Sequence, residues 1–382
     1  MGRVIYFTTA QEKNLFKENL NKWSVSPNLS NQNFHNKLIR CIALNNQVIV
    51  NSIRPINANY KDSFLKEEII QEGNIIWNHI LVKNSKIDKF LFTNSRIESF
   101  FKDLKIEKNT LVIVDTINLR LLKSAFSFAK KHKLKIIGIC TDNPYNISFS
   151  SDKNAENILK ISSELDGYIA LTPKLNELYN PNKKPFVMFD GVNEPAPFNE
   201  ELKKEEYIFF GGSLMKKYGL YELIDAFNIL KNKDLKLLIA GHHQESDLLD
   251  KIKSNNRISY LGAIDIDEIT RLEKKALIAV NPRPLDPKID EYSIPSKTLE
   301  YLSNGVLTIS VDNPLLNKYK EAIIWSKTSD KNDLLDTLNK ALSLSKEEQN
   351  NKIKTGINLI NQYTSFNAIN KQINELFKML LD

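Results

Sequence analysis

Residues Tyr207 to Gly241 read YIFFGGSLMKKYGLYELIDAFNILKNKDLKLLIAG. Tyr207–Phe210 is a short apolar run that stops on two glycines, as a strand buried on both faces would. From Leu220 to Lys231 apolar residues recur at helical spacing, and Leu235–Ala240 is a second apolar run ending on glycine. Strand, glycine turn, helix and strand make one βαβ unit, and a chain of such units builds a parallel sheet.

The same alternation extends outward on both sides. After Gly241 it predicts strands at Ile258–Leu261, Leu277–Asn281, Val306–Val311 and Ile323–Trp325. Helices fall at Asp247–Lys253, Ile266–Lys275, Ser296–Ser303 and Asp330–Leu344, with Lys346–Leu381 helical around a break at Gln362–Ser365. Before Tyr207, strands are expected at Arg3–Thr8, Gln47–Ser52, Lys89–Phe92, Leu111–Val114, Lys135–Cys140, Gly167–Leu171 and Pro185–Phe189. Helical patterns between them include Asn33–Leu44, Leu119–His132 and Ala155–Leu165. The Gly- and Pro-containing segment Asp190–Pro197 and the charge run Glu200–Glu206 read as a linker. The expected fold class is therefore α/β: two Rossmann-like doubly wound domains facing each other across a cleft, residues 1–195 and 196–362.

Composition narrows the alternatives. With 42% hydrophobic and 26% charged residues in 382, disorder and fibrous repeats are excluded. No run of 18 apolar residues exists to span a membrane, and Met1–Phe7 reads as a first strand rather than a signal peptide. Cys41 and Cys140 lie in apolar segments and read as buried thiols, and no zinc-ligand spacing occurs. The net charge of +7 permits contact with phosphates or an anionic membrane surface. Only 12 residues are glycine, about 3% against a usual share of about 7%. Seven of them lie beyond Gly191, six of these at junctions of strands and helices.

Open α/β sheets bind ligands at the carboxyl ends of their strands. Five junctions carry suitable chemistry. Gly211-Gly212-Ser213, with Lys216, Lys217 and Gly219, opens a helix where backbone amides favour phosphate. Ala240-Gly241-His242-His243 ends the next strand. Asn281-Pro282-Arg283-Pro284 places an arginine, the usual clamp for phosphate or carboxylate, between prolines. Tyr292 to Gly305 sets Pro295 at a helix start and Gly305 at its end, with Lys297 in the first turn and Glu300 one turn later. Such a pair offers a cation for phosphates and a carboxylate for sugar hydroxyls. Cys140-Thr141-Asp142-Asn143-Pro144 puts a carboxylate after a buried strand in the first half.

On these residues the second half resembles glycosyltransferase family 4, the retaining enzymes of GT-B fold that use sugar nucleotides. The likeness runs from Tyr207 to Gly305 and is densest in Pro-Ser-Lys-Thr-Leu-Glu-Tyr-Leu-x-x-Gly, Pro295 to Gly305. The resemblance implies a donor diphosphate held by Gly211, Gly212, Arg283 and Lys297, with Glu300 on the ribose and Ser296 and Thr298 in the same turn. It implies a base near Ile258–Gly262 and His242. Acceptor and catalytic groups would come from Asn33, His35 and Asp142, and the last helix, 363–382, would cross back to the first domain. Where the family carries Arg and Lys around the first glycine motif, this chain has Ser213 and Tyr218, with Lys216 or Lys217 to substitute. Where the family carries a first glutamate it has Tyr292, and Glu291 or Asp290 lies beside it.

The implied activity is transfer of a hexose from a nucleotide-diphosphate sugar to a glycan, glycolipid or protein-linked glycan. The run from Pro295 to Gly305 is similar to that of bacterial members that build polysaccharides or modify surface glycans, and the implied location is the cytoplasm. A peripheral membrane contact would use Lys83–Lys89, Lys130–Lys135 and Lys183-Lys184. No cofactor, metal or nucleic acid is expected. The rival readings are a sugar-nucleotide epimerase of the same fold and a non-catalytic subunit that binds sugar nucleotide or a partner.

Overall fold

The computed structural model describes residues 2–20, 29–53, 68–80, 93–147, 151–241 and 246–382. They fall into two compact units, Met1–Val192 with Phe366–Asp382, and Asn193–Ser365. The strand expected at Lys89–Phe92 and the residues His242 and His243 lie outside the described residues.

Unit 1 runs β1 (Gly2–Thr8), α1 (Lys13–Leu20), α2 (Leu29–Ala43), β2 (Asn46–Ser52), β3 (Glu68–Glu72) and β4 (Ile75–His79). It continues with α3 (Thr93–Phe101), β5 (Leu111–Asp115), α4 (Leu119–His132), β6 (Lys135–Cys140), α5 (Asp152–Ser162), β7 (Gly167–Ala170), α6 (Pro173–Tyr179) and β8 (Phe186–Met188). Its sheet has the order β3-β4-β2-β1-β5-β6-β7-β8, and the pairs are parallel except β3 with β4. Val4–Phe7 and Leu111–Asp115 are buried throughout, because helices cover both faces of a doubly wound sheet. Local chemistry sets the helix ends: the Asn118 side chain accepts from the amides of Arg120 and Leu121, and Lys133 closes α4 in the left-handed conformation.

The β3–β4 hairpin departs from the expected alternation. It turns at Gly73-Asn74 and sits at the sheet edge, with Ile69 exposed on its outer strand. A parallel-strand search passes over such a piece because its apolar residues alternate instead of running together.

Unit 2 runs β9 (Glu205–Gly211), α7 (Leu220–Ile229), β10 (Lys236–Ala240), α8 (Ser246–Lys253), β11 (Ile258–Tyr260), α9 (Ile266–Lys275) and β12 (Ala276–Asn281). Then come α10 (Pro287–Asp290), α11 (Ser296–Ser303), β13 (Leu307–Val311), β14 (Ile323–Ser326), α12 (Lys331–Ser343) and α13 (Lys346–Tyr363). The sheet order is β11-β10-β9-β12-β13-β14, all parallel. The helix after Tyr363, α14 (Phe366–Leu381), belongs to unit 1. There it buries Ile369, Ile373, Leu376 and Phe377, and Asn370 Nδ2 donates to the Cys41 carbonyl at 2.7 Å. Both cysteines are buried and neither is in a disulfide.

The strand orders locate the switch points. In unit 2 the chain winds from β9 out to β11, returns to β12 and winds the other way, so a crevice opens at the carboxyl ends of β9 and β12. In unit 1 the same reversal falls between β1 and β5.

Candidate functional site

At the unit 2 switch point, hydrogen bonds stitch the strand ends together. The Gly212 amide donates to Ala240 O at 3.0 Å, and the Gly241 amide donates to Gly262 O at 2.9 Å. These approaches require glycine. A Cβ on Gly241 would stand 1.8 Å from Gly212 O, and one on Gly219 would stand 2.1 Å from Pro282 O. The turn after β9 is thus clamped between the loops after β10 and β12. Tyr301, fully buried on α11, adds a third hold: its hydroxyl accepts from the Gly211 amide at 3.1 Å. Burial pushes the Tyr301 hydroxyl up, so it stays protonated.

Over this turn stands Lys297. Its Nζ lies 2.8 Å from Glu300 Oε2, and its Cε lies 4.0 Å from where a Gly212 Cβ would be. Burial works against its charge, but the carboxylates of Glu300 and Glu273 outweigh that and hold its pKa above the ordinary lysine value. Neither α7 nor α11 has a side chain capping its first amides. Two helix starts without side-chain caps and a fixed cation together suit a phosphate-bearing anion.

The other expected donor residues divide. Gly211, Gly212, Gly262, Lys297 and Glu300 border the switch point as described. Ser213, Lys217 and Ser296 are exposed, with Lys217 Nζ 5.3 Å from the centre of the Tyr218 ring. Thr298 is fully buried, accepting from Asn281 Nδ2 at 2.9 Å and lying 3.2 Å from Ser310 Oγ. It fastens α11 to β12 and β13 because it faces inward from the helix. Arg283 sits at the crevice, yet its guanidinium is held by Asp290 at 2.8 Å. Asp290 also accepts from the Asp286 amide at 2.5 Å and is nearly buried. Glu291, expected as the displaced acid, is exposed.

In unit 1 the expected acceptor residues differ in exposure. Asp142 is exposed after β6, and its carbonyl accepts from the Tyr179 hydroxyl at 3.0 Å. Asn33 is half-buried on α2. His35 is fully enclosed: its Nδ1 is 2.7 Å from the Tyr6 hydroxyl and its Nε2 3.3 Å from Asp115. Asp115 ends β5 at the switch point and also accepts from Asn31 Nδ2 at 3.2 Å. Burial raises its pKa, but His35 and the amides of Ile117 and Asn31 bring it below the usual carboxylate value. The sequence reading missed Tyr6, Asn31 and Asp115. The carboxylate after the apolar run Leu111–Val114 was the available signal, parallel to Asp142 after Cys140.

The family described as glycosyl transferases group 1 matches residues 193–358, which is nearly all of unit 2. The match covers less than half of the chain. No curated protein sequence matches the chain. Solved structures match along the whole length at low identity. Sucrose-phosphate synthase from Thermosynechococcus elongatus is 12% identical with a TM-score of 0.65, over 100% of this chain and 99% of that one. An α,α-trehalose 6-phosphate synthase from Burkholderia multivorans is 11% identical with a TM-score of 0.66, over 100% and 97%. A trehalose-6-phosphate protein from E. coli, bound with UDP-2-fluoro glucose, is 11% identical with a TM-score of 0.65, over 99% of both chains. At this identity the likeness shows the fold: two Rossmann-like domains of GT-B type.

Proposed function

We propose that this protein is a retaining glycosyltransferase that takes a hexose from a nucleoside-diphosphate sugar bound to unit 2. The observation that supports the reading most is Lys297, held as a cation over the Gly211–Gly212 turn inside the stretch that matches the group 1 family. Breaking the bond from the anomeric carbon to the phosphate oxygen leaves an electron pair, and so negative charge, on the diphosphate. Lys297 and the amides of the two helix starts stabilise that charge as it grows. Glu300, one turn along α11, accepts from the ribose hydroxyls as well as from Lys297. The reading gives the leaving group's stabilisation to protein cations and amides and assigns it no metal. The acceptor hydroxyl attacks the anomeric carbon and yields its proton to the leaving phosphate or to Asp142.

The acceptor is a glycan, glycolipid or protein-linked glycan held by unit 1, with Asp142 and Asn33 as exposed and half-exposed candidates. Among the described residues no helix is long and apolar enough to cross a membrane. A peripheral contact through Lys130–Lys135 and Lys183-Lys184 at the cytoplasmic face would bring such an acceptor within reach. The neighbour that carries UDP-2-fluoro glucose makes UDP the first nucleotide to try.

One observation favours a second reading, a non-catalytic subunit that binds sugar nucleotide: Arg283 is already engaged by Asp290. A thermal-shift screen against UDP-, GDP-, ADP-, CMP- and dTDP-sugars finds the donor, since a ligand of the folded state raises its melting point. Release of nucleoside diphosphate from that donor with mixed acceptors supports the enzyme. Donor binding without hydrolysis or transfer supports the subunit.

A further inference from the structure

Arg120 stands in the first turn of α4, the helix that follows β5 at the unit 1 switch point. It is half-buried, and its Nε is closed off from solvent with no hydrogen-bond partner. Among the described residues no ion pair answers it either. Other arginines of the chain are engaged. Arg3 donates to Gln47 Oε1 and to the Lys105 carbonyl, Arg257 to the carbonyls of Asn232 and Phe227, and Arg40, Arg271 and Arg283 to carboxylates. Asp115, at the end of β5, does not serve Arg120, because its carboxylate is taken by His35, Asn31 and the Ile117 amide. The helix end does not need the guanidinium, since the Asn118 side chain already caps the amides of Arg120 and Leu121. Burial pulls the Arg120 pKa below the ordinary arginine value and no carboxylate pulls it back, yet a guanidinium stays charged in a protein. Removing such a charge from water without a partner is unfavourable. The fold tolerates this at the carboxyl ends of the strands, where open α/β sheets take their ligands.

We propose that Arg120 anchors an oxyanion, a phosphate or carboxylate group, carried by the acceptor on unit 1. This rests on the reading of unit 1 as the acceptor side. A guanidinium presents its N–H donors in a planar fork, and phosphate and carboxylate each offer paired oxygens to such a fork. An oxyanion there satisfies Nε and neutralises the charge together. A neutral sugar hydroxyl can accept one of the hydrogen bonds but leaves the charge unanswered. The acceptor is therefore an acidic or phosphorylated glycan rather than a neutral one. Stability separates this role from a structural one. A charge kept ready for a ligand destabilises the empty protein, whereas an arginine that braces the fold stabilises it.

The test uses the full chain carrying Lys297→Met as parent, so that anions held at the Gly211–Gly212 turn do not enter. Calorimetric titration with inorganic phosphate and with glucuronate compares this parent with the same chain carrying Arg120→Met or Arg120→Gln as well. The parent is expected to bind phosphate or glucuronate, and Arg120→Met to bind the same anion about tenfold or more weakly. The anion bound more tightly identifies the group. In buffer free of both, the urea midpoint of Arg120→Met should equal or exceed that of the parent. A lower midpoint in both Arg120 variants, or failure of both to fold, would make the arginine structural and overturn the assignment. So would undiminished binding by Arg120→Met, or binding of neither anion by the parent. Transfer tests the acceptor role with the donor found by thermal shift. Wild type should prefer mannose 6-phosphate or glucuronate to mannose and glucose, and Arg120→Met should lose that preference. Equal transfer by wild type to charged and neutral sugars overturns the acceptor role. Anion binding through Arg120 with no transfer to any sugar removes the glycosyltransferase reading and leaves the oxyanion site standing.

Discussion

Gly219 and Gly262 have nearly the same backbone conformation, with φ of +78° and +75°, but opposite surroundings. A Cβ on Gly262 would meet nothing within 4 Å, whereas one on Gly219 would fall 2.1 Å from Pro282 O. Substituting alanine at each separates backbone strain from collision. Holding an L-residue in the left-handed region costs roughly 1–2 kcal/mol, and both variants should lose that. Forcing a methyl into a packed contact adds about 1–3 kcal/mol. Gly262→Ala is thus expected to cost about 1–2 kcal/mol, and Gly219→Ala about 2–5 kcal/mol. Urea unfolding followed by circular dichroism measures both, provided that the slopes with denaturant stay equal. Gly219→Ala should also weaken diphosphate binding, because the loop that must move carries Arg283. Equal losses in the two variants would show that the loops after β9 and β12 are not clamped as described.

Lys204 donates to the carbonyls of Lys274 and Gly305 at 2.6 and 2.8 Å, and burial, with Lys346, pushes its pKa down to about 8. The unfolded chain then binds more protons between about pH 8 and pH 10.4, so stability rises with pH across that window by up to about 3 kcal/mol. Lys204→Met should flatten the rise in denaturation curves at pH 7.5, 8.5 and 9.5. Lys297, with its pKa held up, contributes nothing to that slope, because its stabilisation fades only above the unfolded lysine value. Asp115 has the opposite dependence: its depressed pKa gives stability that is present above about pH 3.9 and is lost as pH falls. Asp115→Asn should cost about 3 kcal/mol at pH 7, seen as a lowered urea midpoint, since it leaves His35 buried without its carboxylate. Tyr301→Phe removes the hydroxyl from the Gly211 amide and should lower stability by about 1–3 kcal/mol. A thermal scan showing no loss would mean that the turn holds without it.

The order of elements in unit 2 is readable in the chain because fully buried strands are continuous apolar runs and each ends on a residue of special chemistry. Gly305 was legible as a helix end because it sits there at a φ of +66°. Lys297 and Glu300 were legible because first-turn position and i+3 spacing are local properties. Glu273 was not: it lies on a helix of charged and apolar residues, and only packing against α11 brings it to Gly211. Thr298 is buried for a related reason: one step around the helix from Lys297 turns its hydroxyl into the core. Asp290 and Glu291 adjoin in sequence, but only the fold determines which of them meets Arg283. In unit 1 the site was least legible. Tyr6, His35 and Asp115 come from β1, α2 and β5, and no spacing in the chain announces that they meet.

The most direct measurement is nucleotide binding by Lys297→Met. A charge-assisted hydrogen bond contributes about 1.5–3 kcal/mol, which is roughly 10- to 150-fold in affinity. Wild type should bind one of UDP, GDP or ADP by calorimetry, and Lys297→Met should bind the same nucleotide weaker by about that factor while remaining folded. Undiminished binding by the variant, or no binding of any of the three by wild type, would contradict the placement of a donor diphosphate at the Gly211–Gly212 turn.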